Sequence, residues 1–188
     1  RYPKPLDRPD LDQFIRLIKA AEGKETIKTD TSEFADLRPF KEHKLGRIAF
    51  EAAEPDEAHS PKSNCIALTR GTGMIINYIK LGSDRYEPAV GAFVADEQIW
   101  GILRRAENPA HSEWSETNYS LLRYHENLGK DLIHSLNGRL STRFDNFQRG
   151  LQPTVSTSRS ENGLLAKLLS AALSGGSGDP PPPPGEPN

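Results

Sequence analysis

The chain has 188 residues, of which 35% are hydrophobic, enough for one ordinary domain with appended segments. Its 24 basic and 26 acidic residues give a net charge of −2, so the composition does not predict the basic excess of a general nucleic-acid binder. The single cysteine, Cys65, excludes an internal disulfide and a multi-cysteine zinc site, and it is compatible with a cytoplasmic location.

The ends of the chain carry no targeting signal in the printed sequence. No apolar run approaches the length needed to span a membrane, and the first residues do not form a signal segment, so no membrane partner is expected. The only methionine is Met74, which indicates that Arg1 is not a translation start. We therefore expect the chain to be a piece of a larger protein or a processed one.

The N-terminal quarter predicts one amphipathic helix. Residues 1–9 hold three prolines and predict an extended lead-in, after which Asp10 can cap a helix that runs to Glu22 and stops at Gly23. Five apolar residues share one face of that helix: Leu11, Phe14, Ile15, Ile18 and Ala21. Residues 24–29 predict a short strand, and 31–40 have no single pattern.

Four runs with β character follow. The first is LGRIAFEA (45–52), and the others are SNCIALTRG, MIINYIKLG and PAVGAFVAD, which together span 63–96. Gly71 and Gly73, next to Arg70, predict a hairpin turn between the second and third runs, because glycines supply the positive φ that such turns need. The order of the runs predicts a four-stranded antiparallel meander.

A helical pattern occupies the second half. Residues 96–106 predict a helix with Ile99, Trp100 and Leu103 turned inward, and Pro109 interrupts it. From about Ser112 an apolar stripe predicts one long amphipathic helix, bent or straight, and the alternative is two helices divided at Asn137-Gly138. The members of the stripe are Leu121, His125, Leu128, Leu132, Leu136, Leu140, Phe144, Phe147 and Leu151.

The predicted architecture is an α+β domain over 1–152, in which a small antiparallel sheet of about four strands packs with an N-terminal helix and a long C-terminal helix. Residues 153–188 change in composition and predict a linker, a short apolar helix and a proline-rich low-complexity tail.

No motif in the chain is sufficient for catalysis. His111 and Glu113 have the H-x-E form of zinc deaminases, but the Pro-Cys-x-x-Cys that completes such a site is missing. The glycines around Arg70 lack the G-K-[ST] of a phosphate loop. Trp114, at the break between the helices, is expected to pack there.

Other clusters allow weaker hypotheses. Acids at Glu51, Glu54, Asp56 and Glu57 lie in a loop that could bind a divalent ion, although the spacing matches no calcium loop. The histidines His111, His125 and His134 are not spaced to share a metal on one straight helix. The arginines Arg139 and Arg143 could contact nucleic acid, but Asp145 interrupts the basic stretch, so a solvated helix face is preferred.

The runs IALTRGTGMIINYIKLG, GAFVAD and ILRRAENPAHSEW resemble the transducer region that follows the ATP-binding domain in bacterial proteins of the GHKL type. The resemblance covers about residues 40–150 and concerns the order of sheet and helix. It implies ATP only through an upstream domain, with no cofactor bound by this chain itself. Transducers often donate a lysine to the nucleotide, and Lys41, Lys44 and Lys62 are the loop lysines here, with no motif to select one.

The sequence thus favours a non-catalytic transducer or scaffolding module of a larger cytoplasmic protein, which contacts a partner protein or a neighbouring domain, or a second copy through the long helix. The alternative is a hydrolase or nuclease that uses His111, Glu113 and the nearby acids. A helix that contacts nucleic acid is a further alternative.

Overall fold

The computed structural model describes residues 9–26, 31–54, 61–71, 73–110 and 112–152. The helices and strands in chain order are α1 (Pro9–Ala21), β1 (Ser32–Asp36), β2 (Gly46–Ala52), β3 (Cys65–Arg70), β4 (Met74–Lys80), β5 (Ala89–Ala95), α2 (Trp100–Ala106, preceded by a 3-10 turn at Glu97–Ile99) and α3 (Tyr119–Leu151). The predicted linker, apolar helix and proline-rich tail at 153–188 lie outside the described residues.

The five strands form one sheet in the order β1-β2-β5-β3-β4. Every neighbouring pair is antiparallel except β3 and β5, which run parallel. The structure confirms the α+β class, the mostly antiparallel sheet and the two flanking helices. A fifth strand, β1, lies within residues 31–40, whose sequence has no single pattern. The predicted meander is wrong, because β5 inserts between β2 and β3 instead of following β4.

The composition of β5 explains its central place. Six of its seven residues are buried, and small residues alternate with Val90 and Phe93 along it. Gly91 makes room for the ring of Phe50 on the neighbouring strand, since a Cβ at Gly91 would lie 2.6 Å from Phe50 Cδ1. A strand this apolar is stable only where both its faces and both its edges are covered.

Helix α1 covers one face of the sheet. Phe14, Leu17 and Ile18 are buried against small residues of the central strands. The helix ends at Gly23 as predicted: Gly23 has φ +77°, and the amide of Lys24 donates to the Lys19 carbonyl at 2.8 Å. The prediction of a strand at 24–29 is wrong for 24–26, which form a bend, and the remainder of it lies outside the described residues.

Helices α2 and α3 cover the opposite face. The rings of Phe144 and Phe147 lie 5.2 and 5.4 Å from the ring of Phe50 in β2. The predicted stripe is largely confirmed by its fully buried members, which are Leu121, Leu132, Leu136, Leu140 and Phe144. The sheet is therefore enclosed between one helix on one side and two on the other.

Two details of the helical predictions are wrong. Trp100 is not turned inward but is 36% exposed, because its indole N–H donates to the Ala95 carbonyl at the end of β5. The long helix begins at Tyr119 and not near Ser112, since the side chain of Asn118 accepts from the Ser120 amide and caps it there.

The long helix is bent, but not at a glycine. Glu126 has φ 42° and ψ −134°, which divides α3 into a short first segment and a long second one. Gly129 and Gly138 lie within the second segment, on its buried and exposed sides respectively. Within the described residues, no helix combines the length and the apolar character needed to cross a membrane.

Candidate functional site

The predicted residues Arg70 and Trp114 meet at Glu107, whose side chain is 1% exposed. The Arg70 guanidinium donates to both carboxylate oxygens, at 2.5 and 3.1 Å. The Trp114 indole N–H lies 3.4 Å from Glu107 Oε1, and the Asn118 side chain donates to the Glu107 carbonyl. This arrangement joins the end of β3 to the corner between α2 and α3. The role of Arg70 and Trp114 here is therefore structural.

The glycines beside Arg70 form the turn from β3 to β4. Gly71 has φ +66° and Gly73 has φ +81°, the left-handed region that the hairpin prediction requires. Gly71 also lines a groove at the end of the sheet where β2 begins. The turn geometry accounts for both glycines without a phosphate ligand.

This groove has a volume of about 760 Å³ and lies where β2 begins and β5 ends. Gly46 permits the close approach of the two strands, since a Cβ there would lie 2.2 Å from the Val94 carbonyl oxygen. Three basic and four acidic side chains line the groove, so its charge favours neither an anion nor a cation; they are Lys24, Lys44, Arg47, Glu22, Asp36, Asp96 and Glu97.

The loop lysines differ in their surroundings. Lys44 is the one that lines this groove, and its backbone amide donates to the side-chain oxygen of Gln98 at 3.0 Å. Lys41 and Lys62 instead place their ammonium groups 5.3 Å from the Phe40 ring and 5.0 Å from the Tyr78 ring. Sequence reasoning could not make this distinction, because it depends on which strand ends meet.

Glu113 lies in a groove of about 440 Å³ beside the edge strand β4, with Asn77, Lys80 and Asn137. His111, its predicted partner, lies outside the described residues. Glu51 faces α1 on the opposite side of the sheet, where it accepts from Gln13 and Arg16, and Glu54 also accepts from Arg16. The fold therefore does not bring Glu113 together with these two acids; Asp56 and Glu57 lie outside the described residues.

Arg139 and Arg143 line a third groove, of about 560 Å³, between α3 and the segment that follows β1. Arg139 donates through Nη1 to the carbonyls of Arg38 and Pro39, and Arg143 pairs with Glu33. Both arginines tie the long helix to the β1 edge of the sheet.

Three large exposed side chains at the start of α3 were not found by sequence reasoning. Tyr119, Leu122 and Tyr124 are 75%, 39% and 56% exposed, and we call them the α3 patch. The Arg105 guanidinium lies 3.6 Å from the centre of the Tyr124 ring and fixes its position from α2. The regular stripe directed attention to Leu121, which is buried, and its exposed neighbours became visible only in the fold.

Cys65 and His125 have shifted pKa values, and neither of them forms part of a site. Burial raises the pKa of the Cys65 thiol, which leaves it protonated and inert. Burial and the nearby Arg105 charge lower the pKa of His125. Within the described ranges, no three His, Cys, Asp or Glu side chains are placed to hold a metal ion.

Comparison with known proteins gives no assignment: no protein-family model, no curated protein and no solved structure matches the chain.

Proposed function

We propose that this chain is a non-catalytic interaction module of a larger cytoplasmic protein, and that it contacts a partner protein or a neighbouring domain through α3. The observation that carries the proposal is the α3 patch. Large apolar side chains exposed together on one short helical segment are typical of protein–protein contact surfaces, where tyrosine is enriched. Among the described residues, Glu113 lies in one groove and Arg139 and Arg143 line another, and this separation favours contact over chemistry.

The fixed geometry of the patch supports this use. Leu121 is fully buried and anchors the first segment of α3, while Arg105 holds the Tyr124 ring and donates to the Ser120 hydroxyl. A surface that is already ordered loses little side-chain entropy when a partner binds. The patch therefore has the rigidity that a docking surface needs.

The test is position-specific photo-crosslinking in the native host. A benzophenone side chain at position 122 is expected to give a crosslinked product, and Tyr119→Ser in the same chain should weaken that product. The control is the same probe at position 130, where Lys130 is exposed further along α3. Equal crosslinking at both positions, or none at 122, contradicts the proposal.

The mass of the product identifies the kind of partner. Twice the mass of the chain indicates a second copy bound through α3, which sedimentation of the purified protein would then reproduce. A different mass indicates a distinct partner protein, and an internal crosslink indicates a neighbouring domain.

A narrower form of the proposal is a transducer next to a GHKL-type ATP-binding domain. Its support is the resemblance in the sequence, together with the position of Lys44 in the groove where β2 begins and β5 ends. Sequencing of the intact native protein tests for such a domain upstream. If one is present, Lys44→Ala should reduce ATP hydrolysis, whereas Lys41→Ala and Lys62→Ala should not; equal effects would remove Lys44 from this role.

A further inference from the structure

The groove that contains Arg139 has two walls and an apolar floor. One wall is formed by residues 36–38, at and just after the end of β1. The other wall is formed by residues 134–143 of α3. Leu37, at 3% exposure, lies at the base between them. A volume of about 560 Å³ is large enough to receive one or two side chains of a bound peptide.

Gly138 is in the middle of α3 and opens directly onto this groove. A glycine in a helix interior costs about 1 kcal/mol relative to alanine, so its presence calls for a reason. Gly129 has one, because a Cβ there would lie 2.6 Å from Leu121 Cδ1. A Cβ at Gly138 would meet no atom within 4 Å, so the fold itself does not require glycine. Close approach of another molecule to the helix backbone would require it.

The charges around the groove are unequal. Three arginines and a histidine line it (Arg38, Arg139, Arg143 and His134), against one carboxylate, Asp36. Glu33 neutralises Arg143, and Glu116 lies 3.1 Å from His134. The charges that remain are the positive ones of Arg38 and Arg139 and the negative one of Asp36. The groove therefore keeps an excess of one positive charge. Arg139 donates through Nη1 to two backbone carbonyls, and these two contacts hold its guanidinium in place.

Two hydroxyl side chains also line the groove, Ser135 and Thr142, and the second is satisfied within the helix. The Thr142 hydroxyl donates to the Gly138 carbonyl at 2.8 Å. A bound segment would therefore find an apolar floor at Leu37 and Gly138, with cationic side chains on the rim.

We propose that this groove binds an acidic peptide segment, in which an apolar side chain lies over Gly138 and flanking carboxylates pair with Arg38 and Arg139. This surface is distinct from the α3 patch, and the inference does not depend on the patch. It assigns to Arg38, Arg139 and Gly138 a recognition role on the α3 side of the β1 edge.

The test is fluorescence anisotropy with a labelled peptide that repeats two glutamates and one leucine, titrated with the full chain. A peptide of the same length with glutamine for glutamate is the neutral control. The acidic peptide is expected to bind, and Arg38→Glu should weaken it about tenfold or more, because a charge-assisted contact becomes a repulsion. Arg38 is exposed, so this change leaves folding intact.

Gly138→Leu provides a second, uncharged variant. The added side chain occupies the floor of the groove and should weaken binding at least tenfold, while the thermal midpoint stays at or above that of the wild type because leucine is a good helix former. Arg104→Glu is the matched charge control, since Arg104 is exposed on α2. It should change binding by less than about twofold.

Four results would overturn the proposal. They are no binding of the acidic peptide, equal binding of the glutamine peptide, equal loss in Arg104→Glu, and displacement by oligothymidylate of similar charge with the same dependence on Arg38 and Gly138. Loss in Tyr119→Ser as large as in Arg38→Glu would place the contact on the α3 patch and would also overturn it.

Discussion

Glu107 shows how one buried carboxylate organises several distant residues. Its two oxygens accept from Arg70, and Trp114 Nε1 lies near one of them. Arg70 and Trp114 could be singled out in the sequence because they flank a glycine turn and a helix break. Their common partner could not, because Glu107 lies 37 residues from Arg70 and no local pattern links the two.

Replacing Glu107 with glutamine should lower the free energy of unfolding by about 3 kcal/mol, because it leaves the Arg70 charge partly buried without a counter-ion. Urea unfolding at neutral pH measures this. Asp145→Asn, which breaks the exposed Asp145–Arg149 pair, is the control and should cost less than about 0.5 kcal/mol. Similar losses in the two variants would show that Glu107 is not buried as described.

His125 should make the stability dependent on pH. Its pKa in the folded protein is below the ordinary value, so the unfolded chain takes up a proton first as the pH falls. The stability that neutral His125 contributes is fully present above the pKa of the unfolded chain. It decreases as the pH falls below about 6.5. The free energy of unfolding of the wild type should therefore drop more between neutral and mildly acidic pH than that of His125→Gln. Parallel curves would contradict the pKa shift.

At the scale of elements, the bend in α3 separates a short segment, which carries the α3 patch, from a long segment that packs along the sheet. Glu126 has a positive φ, which costs roughly 1–3 kcal/mol for a residue with a side chain. The sequence predicted one long helix, bent or straight, and the only break that it suggested was at Asn137-Gly138. The bend occurs at Glu126 instead, because Asn118 caps the helix near Glu107, and the first segment must turn to bury Leu121.

Glu126→Gly should therefore raise the free energy of unfolding by about 1 kcal/mol, since relief of the backbone strain exceeds the extra entropy of the unfolded glycine. Lys130→Gly, at an exposed helical position, should lower it by about 1 kcal/mol. Chemical unfolding of both variants makes the comparison. Destabilisation in both would mean that the helix is continuous through Glu126.

At the scale of the molecule, the two faces of the sheet share the same central strand, so we expect them to unfold together. Phe14→Ala on the α1 face should cost about 3–5 kcal/mol. Fluorescence of Trp100 and Trp114 reports on the opposite face. In Phe14→Ala, the urea midpoint of this fluorescence transition should fall together with the midpoint of the far-ultraviolet circular dichroism transition. A tryptophan transition that stays at the wild-type midpoint would show that the faces unfold independently.

The class of the fold was accessible from the sequence, whereas its topology was not. The β-type runs of β2, β3 and β4 and the stripe of α3 are local patterns, and each predicted its element. The position of β5 depends on pairing with strands about 25 and 45 residues earlier in the chain, as Phe93 pairs with Leu68 and Ile48. The grooves lie where such non-local pairs end, so sequence reasoning named a few of their residues without grouping them.

The central position of β5 also sets the order in which the sheet can be completed during synthesis. A nascent chain that stops before Ala89 carries two separate hairpins, β1–β2 and β3–β4, each with an open inner edge. Such edges invite mispairing between chains. When the seven-residue strand β5 emerges, it pairs with both inner edges at once. The sheet is therefore completed by the last of its strands to be synthesised.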